Sequence, residues 1–188
     1  MKHIIKPALA LFIITASVTA LLGIARNLTL EPIENQRRKT QEKTMREVLP
    51  QASAFREIDT EKSGSIVSIY EGRRGNEFAG FVIELMPSGY SGTINLMVGI
   101  SAEEKNISGM RILKHSETPG LGANAVKEKF YRRFDGKNLV PLRVVKVPTG
   151  SADEIEAITA STITTKAVTD AVNQAIEWYL QYGAGESK

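Results

Sequence analysis

The chain of 188 residues has no cysteine and only two histidines, His3 and His115. Without thiols there is no disulfide, thiolate zinc site, c-type haem attachment or cysteine-ligated iron–sulfur cluster. The two histidines lie far apart, so neither a His-based metal site nor a bis-His haem is expected within this chain. Charge of one sign is scarce too. Lys and Arg number 24 against 21 Asp and Glu, a net charge of +3, and the two signs interleave, as in Lys127-Glu128-Lys129. With no aromatic-plus-basic pattern, a nucleic-acid partner is not expected. Any redox chemistry would need an organic cofactor, held without sulfur.

What is present begins with an uncharged run, Ala8 to Ala25, between Lys6 and Arg26. Extended back through Ile4, it reaches the roughly 20 residues that cross a bilayer. Ala, Gly and Thr within it suit packing against other helices. The run is long for a signal-peptide core and no clean Ala-x-Ala site follows it, so the reading is a retained transmembrane anchor over residues 1–28. Lys2 and Lys6 on one side and Arg26, Arg37, Arg38 and Lys39 on the other leave its orientation open on charge. Residues 29–50 are very polar, with a thin apolar stripe of Ile33, Met45, Val48 and Leu49. They read as a solvated helical stalk, with Pro32 in its first turn and Pro50 closing it.

Beyond Pro50 the period changes. Strands are expected at Ser65–Tyr70, Phe78–Met86, Thr93–Ile100 and Gly109–Lys114, joined by turn-rich segments around Gly72–Asn76 and Pro87–Gly92. Short links imply an antiparallel meander. Val126, Phe130 and Phe134 predict an amphipathic helix over 124–134. Leu142–Val147 alternates like a half-exposed strand. Val168, Val172, Ala175, Ile176 and Tyr179 mark the clearest helix, Lys166–Tyr182. The fold class is α+β: an antiparallel sheet with packed helices over 51–183, preceded by the anchor and stalk and followed by a frayed tail, 184–188.

Two segments carry candidate chemistry. In Ala157–Val168, five of twelve residues are Ser or Thr and a strong helix follows. One reading is a helix cap from Thr164 or Thr165. The other is a phosphate site, since a helix N-terminus offers free N–H groups and a positive dipole end, with Lys166 adding charge. The second segment, His115-Ser116-Glu117-Thr118-Pro119-Gly120-Leu121-Gly122, reads as a tight connector or as a loop that approaches a flat ligand closely. Its Gly-x-Gly lacks the full dinucleotide fingerprint.

Together these residues identify a resemblance. The Glu117–Gly122 loop, the Thr159-Ala160-Ser161-Thr162 segment, Gly89-Tyr90-Ser91-Gly92 leading into Leu96–Ile100, and Leu30-Glu31-Pro32-Ile33 behind the anchor resemble the G subunit of the Rnf electron-transport complex. They resemble more distantly the C subunit of the sodium-pumping NADH:quinone oxidoreductase. Both belong to the FMN-binding domain family. The family pattern is Asp, two residues, Ser/Thr, Gly, Ala, Thr, with FMN esterified to the last Thr. Here that position is Thr162, while Glu156, Ala160 and Ser161 replace the usual Asp, Gly and Ala. The alternative acceptors are Ser161, Thr164 and Thr165.

The resemblance implies a covalent FMN, attached by an FMN transferase, on an extracytoplasmic domain held to the cell membrane by a single span. It implies an electron-carrier subunit of an ion-translocating ferredoxin:NAD oxidoreductase, with the other Rnf subunits and membrane lipid as partners, and no substrate-converting or metal site of its own. Flavin contacts are expected from Thr118, Gly120, Leu121 and Gly122, phosphate contacts from Thr159, Ser161 and Thr165, and further contacts from Glu117 and Lys166. The alternatives are a membrane-tethered sensory or assembly module without flavin, or the equivalent subunit of another flavin-based redox complex.

Overall fold

The structure is a computed structural model. It describes residues 2–185, and among these not the side chains of residues 2–4, 27 and 184. Of the expected tail, residues 186–188 lie outside the described residues. Residues 183–185 form a 3₁₀ turn. The chain divides into two units, Met1–Gln41 and Glu42–Lys188.

The described residues of the first unit are all helical. Helix α1, Lys2–Val48, runs without a break through Pro7 and Pro32. The stalk therefore does not start afresh at Pro32. Part of α1 has mean hydropathy 2.3 over an 18-residue window with none of it buried, which is long and apolar enough to cross a membrane. Leu11, Phe12, Leu21 and Leu22 are each more than 60% exposed. Its hydroxyls turn back onto the helix: Thr15 donates to Leu11 O, Ser17 to Ile13 O and Thr19 to Thr15 O. Self-satisfied hydroxyls are compatible with an apolar solvent.

The second unit is built on a five-stranded antiparallel meander. Its strands are β1 Ala54–Ile58, β2 Ile66–Arg74, β3 Glu77–Leu85, β4 Asn95–Ser101 and β5 Asn106–Lys114, ordered in space as in sequence. The central strands are buried on both faces. In β3, Phe81, Ile83 and Leu85 join one core while Val82 joins another; in β4, Leu96, Val98 and Ile100 oppose Met97 in the same way. This follows from the two-residue alternation of a strand.

The larger core is closed by α3, Thr162–Gln181, through Val168, Val172, Ala175, Ile176, Trp178 and Tyr179. Trp178 meets Phe81 edge-to-face at 5.1 Å. Asn173 exchanges hydrogen bonds with the backbone N–H and C=O of Leu142. The smaller core receives Met45, Val48 and Leu49 at the C-terminal end of α1. Val48 packs into a notch that Gly99 and its cross-strand partner Gly109 leave open, and Leu49 lies against Gly72. The Ser108 hydroxyl donates to Val48 O there.

Several expectations change. Strand β1 lies outside the strands the sequence predicts. Residues 124–134 are not one helix, because Lys127 is extended (φ −77°, ψ 143°) between a 3₁₀ turn, Gly122–Val126, and the short α2, Glu128–Tyr131. The C-terminal helix begins at Thr162, four residues before Lys166. The expected strand at 142–147 shortens to β6 Arg143–Val145. It pairs in parallel with a further strand, β7 Glu154–Glu156.

On the outer strands, buried Glu71 lies between Arg56, at 2.7 Å, and Arg73. The hydrogen bond from Arg56, then that from Arg73, holds its carboxyl below the usual value of 4.5. As pH falls, the unfolded chain binds a proton at the ordinary value while the folded carboxylate resists it. The stability Glu71 contributes is therefore present above that value and lost as pH falls through its lower, folded one. We expect thermal melts of the wild type to lose more stability between neutral pH and about pH 3 than melts of Glu71→Gln, which has no such proton to take up. Parallel pH curves would refute this.

Candidate functional site

Three chain segments meet at the first turn of α3. They are the β3–β4 connection, the loop after β5, and the stretch leading from β7 into the helix. Between them lies a cavity of about 410 Å³, within the 300–1,000 Å³ typical of small-molecule sites. Tyr90 lines it from the first segment, Glu117, Thr118, Leu121 and Gly122 from the second, and Ala160 to Thr164 from the third.

The β3–β4 connection is tightened by Gly89 N–H donating to Gly92 O at 2.8 Å. It is tied to the next loop by the Ser91 and Thr118 hydroxyls, 3.2 Å apart, and by Ser91 N–H donating to Glu117 Oε1 at 3.0 Å. The loop closes on itself when the N–H groups of Leu121 and Ala123 donate to Thr118 O. Thr164, in the first turn of α3, donates its hydroxyl to Glu117 Oε2 at 2.7 Å. The packing leaves no room for a side chain at Gly122. A Cβ there would stand 2.3 Å from Glu117 Oε2 and 2.7 Å from Thr164 Oγ1.

The helix start differs from both caps that the sequence suggests. Ser161 is the N-cap residue, but its side chain makes no capping bond. Thr165 is fully buried. It accepts from Ile158 N–H and donates to Ser161 O, so it braces the turn from within. Thr164 is committed to Glu117. The N–H groups of Thr162, Ile163 and Thr164 have no partner inside the helix by its geometry, and among the described residues the N-cap side chain supplies none. Ser161 Oγ is buried and has no hydrogen-bond partner among the described residues. Free donors, a positive helix end and an orphaned hydroxyl at the cavity wall are the requirements of a phosphate group.

Of the expected site residues, Glu117, Thr118, Leu121, Gly122, Ser161 and Thr162 line this cavity. Gly120 and Thr159 line an adjoining cleft that shares Leu121 and Ala160 and is edged by Lys127 and Arg133. Thr165 faces the interior and Lys166 is exposed; neither lines the cavity. Sequence reasoning misses Tyr90, Ala160, Ile163 and Thr164 as lining groups. The helix spacing of Thr164 from Thr162 carries no signal until the helix start is known.

Ala160 holds a left-handed backbone, φ 60°, which costs a residue with a Cβ roughly 1 kcal/mol. The family pattern places Gly there. Ala160→Gly is expected to raise the melting temperature by about 2–4 °C in a chain of this size. A thermal melt that moves down instead would show that the strain is relieved elsewhere.

Comparison with known proteins gives the family and the fold. An FMN-binding domain model matches residues 89–177, which include the cavity, and an RnfG N-terminal region model matches residues 1–48. Two solved structures share the fold: NqrC from Shewanella oneidensis, and the C subunit of the Na(+)-translocating NADH-quinone reductase from Parabacteroides distasonis. Their TM-scores are 0.53 and 0.60, at 14% and 16% identity, over 79% and 81% of this chain and 95% and 96% of theirs.

The cavity-bearing unit is thus an FMN-binding domain. Among curated relatives, the G subunit of the Na(+)-translocating ferredoxin:NAD(+) oxidoreductase complex of Acetobacterium woodii is 37% identical over 95% of this chain and 92% of its own length. The G subunit of the ion-translocating oxidoreductase complex of Methanosarcina acetivorans is 33% identical over 94% and 95%. The chain belongs to the RnfG family, the G subunits of ion-translocating oxidoreductase complexes.

Proposed function

We propose that this chain is the electron-carrier subunit of a membrane-bound, ion-translocating ferredoxin:NAD oxidoreductase, holding an FMN esterified through its phosphate to Thr162. The observation that carries the reading is the buried, unpartnered Ser161 hydroxyl at the N-terminus of a 20-residue helix, next to Thr162 at the cavity wall.

When bound, the flavin supplies the reversible redox chemistry. The residues of the chain bind and orient it. Ser161 and the free N–H groups of the first turn hold the phosphate. The Glu117–Gly122 loop and Tyr90 border the space for the ring. In the attachment step, catalysed by an FMN transferase with FAD as donor, the Thr162 hydroxyl oxygen forms the new phosphoester bond. The anhydride bond of FAD breaks, AMP leaves, and the hydroxyl proton passes to the medium. Attachment keeps a soluble cofactor from diffusing away on the extracytoplasmic side. Residues 1–28 serve as the anchor and 29–50 as the stalk, whose end from Glu42 on packs into the flavin domain through Met45, Val48 and Leu49; residues 51–183 form the rest of that domain, with membrane lipid and the other proteins of the complex as neighbours.

Intact-mass analysis of the protein expressed with an FMN transferase tests the reading. The expected product is heavier by FMN less one water, and peptide mapping places the added mass on Thr162. An unmodified mass despite an active transferase would instead support a tethered module without flavin.

A further inference from the structure

Glu117 is 5% exposed and lines the cavity. Both carboxylate oxygens accept hydrogen bonds, one from Ser91 N–H and one from the Thr164 hydroxyl, itself buried. Among the described residues, no Lys or Arg forms an ion pair with it. A buried carboxylate is usually paired with a cation, because desolvation is costly. Glu71 and Glu154, also buried, follow that rule through Arg56, Arg73 and Arg143. Glu117 does not follow it, although Gly89 and Gly122 shape the cavity wall tightly around its oxygens: a Cβ at Gly89 would lie 2.3 Å from Oε1.

Mechanical tying of the three segments does not require a charge, since a neutral amide would do it. Gln at this position would still accept from Ser91 N–H through Oε1 and would donate from Nε2 to the Thr164 hydroxyl. What the carboxylate alone supplies is a fixed negative potential at a buried position in the cavity wall, where a charge is less screened than in open solvent.

We propose that Glu117 is a positioning residue with a second, electrostatic role: its charge lowers the reduction potential of the flavin bound in this cavity, and Thr164 and Ser91 set how strongly. This rests on the reading that FMN occupies the cavity. Reduction adds electron density to the ring, so an anion at the cavity wall opposes it. Removing the anion favours the reduced form. Removing one of the hydrogen bonds that disperse its charge disfavours the reduced form further.

The test is spectroelectrochemical titration of the full-length, flavin-loaded protein in detergent, for the wild type, Glu117→Gln and Thr164→Val. Glu117→Gln, read in the molecules that carry flavin, is expected to shift the midpoint potential positive. The shift corresponds to about tenfold in the ratio of reduced to oxidised flavin, close to 30 mV for a two-electron couple. Thr164→Val, which keeps the shape but not the donor, is expected to move it the opposite way. Opposite signs would not come from general loosening of the site, which would move both variants alike.

A wild-type potential in flavin-loaded Glu117→Gln overturns the proposal. Should Glu117→Gln fail to load, a Thr164→Val potential unchanged or more positive overturns it as well. A wild type that carries no flavin after exposure to the transferase overturns the flavin reading, and this one with it. A loaded wild type with an unresponsive potential removes only the role of Glu117.

Discussion

Replacing Thr162 with Val is expected to abolish flavin fluorescence that survives a denaturing gel, with the protein still folded and abundant. Val keeps the branched shape of Thr at a half-buried position in the first turn of α3 and removes only the nucleophilic oxygen. The neighbouring hydroxyls are poor substitutes. Thr164 is 1% exposed and bound to Glu117, and Thr165 is fully buried with two hydrogen bonds of its own. The Ser161 hydroxyl has no hydrogen-bond partner among the described residues, but it is buried in the cavity wall. Among the hydroxyls of residues 161–165, that of Thr162 is the one neither buried nor committed to a partner, and loss of signal to background is expected. Fluorescence at wild-type strength in this variant would move the anchor to Ser161, which a Ser161→Ala, Thr162→Val double variant then resolves.

The second large effect is expected far from the cavity. Gly99→Ala would set a Cβ 2.0 Å from Val48 O and 2.6 Å from Val48 C. Both are backbone atoms, so no rotamer change relieves the clash. Either β4 shifts, which disturbs its pairing with β3 and β5, or the end of α1 lifts out of the notch. Lifting exposes Met45, Val48 and Leu49, whose full burial is worth roughly 1.5–3 kcal/mol each. Overpacking of this kind costs about 1–3 kcal/mol and often more. We expect the apparent melting temperature of the full chain in detergent to fall by about 5–10 °C. Gly109→Ala is a graded control. Its Cβ would stand 3.1 Å from Val48 Cα, which a few tenths of an ångström of movement relieves, so its melt should lie between the two. Equal melts for wild type and Gly99→Ala would show that the notch is looser than its geometry implies.

Much of this fold is legible in the sequence, for identifiable reasons. The β2–β3 and β3–β4 turns carry Gly, Pro and Asn, and the apolar face of α3 repeats at helical spacing, so there periodicity and punctuation agree; the β4–β5 turn, 102–105, carries none of them, and β5 starts at Asn106, before the expected Gly109. Strand β1, Ala-Phe-Arg-Glu-Ile, is mostly exposed at the edge of the sheet and has no buried alternation to betray it. The break at Lys127 comes from the seating of Phe130 and Phe134 in the core, where they meet edge-to-face at 5.6 Å, and not from any breaker residue. Periodicity places the start of α3 too late because Ser and Thr are weak helix formers. Tertiary partners reverse that preference, since Thr164 finds Glu117 and Thr165 finds Ser161 O and Ile158 N.

The site shows the same division. The loop and the Thr-rich segment stand out in the chain, but nothing in their spacing says that Glu117 joins them. That contact bridges 47 residues and depends on two glycines leaving space.

The order of the elements along the chain has a consequence for how the protein comes into being. The meander joins only sequence neighbours, so its hairpins can form one after another as the chain emerges. The core stays open until α3 arrives. The bonds that seat α3 reach back across the whole domain, from Gln174 to Ser65 over 109 residues and from Trp178 to Glu61 over 117. Thr162 opens that last long element. A half-made chain therefore has a sheet but no cavity wall, and an enzyme that recognises the folded cavity works only on finished molecules. Completion of α3 becomes a checkpoint ahead of any binding in the cavity, written into the topology.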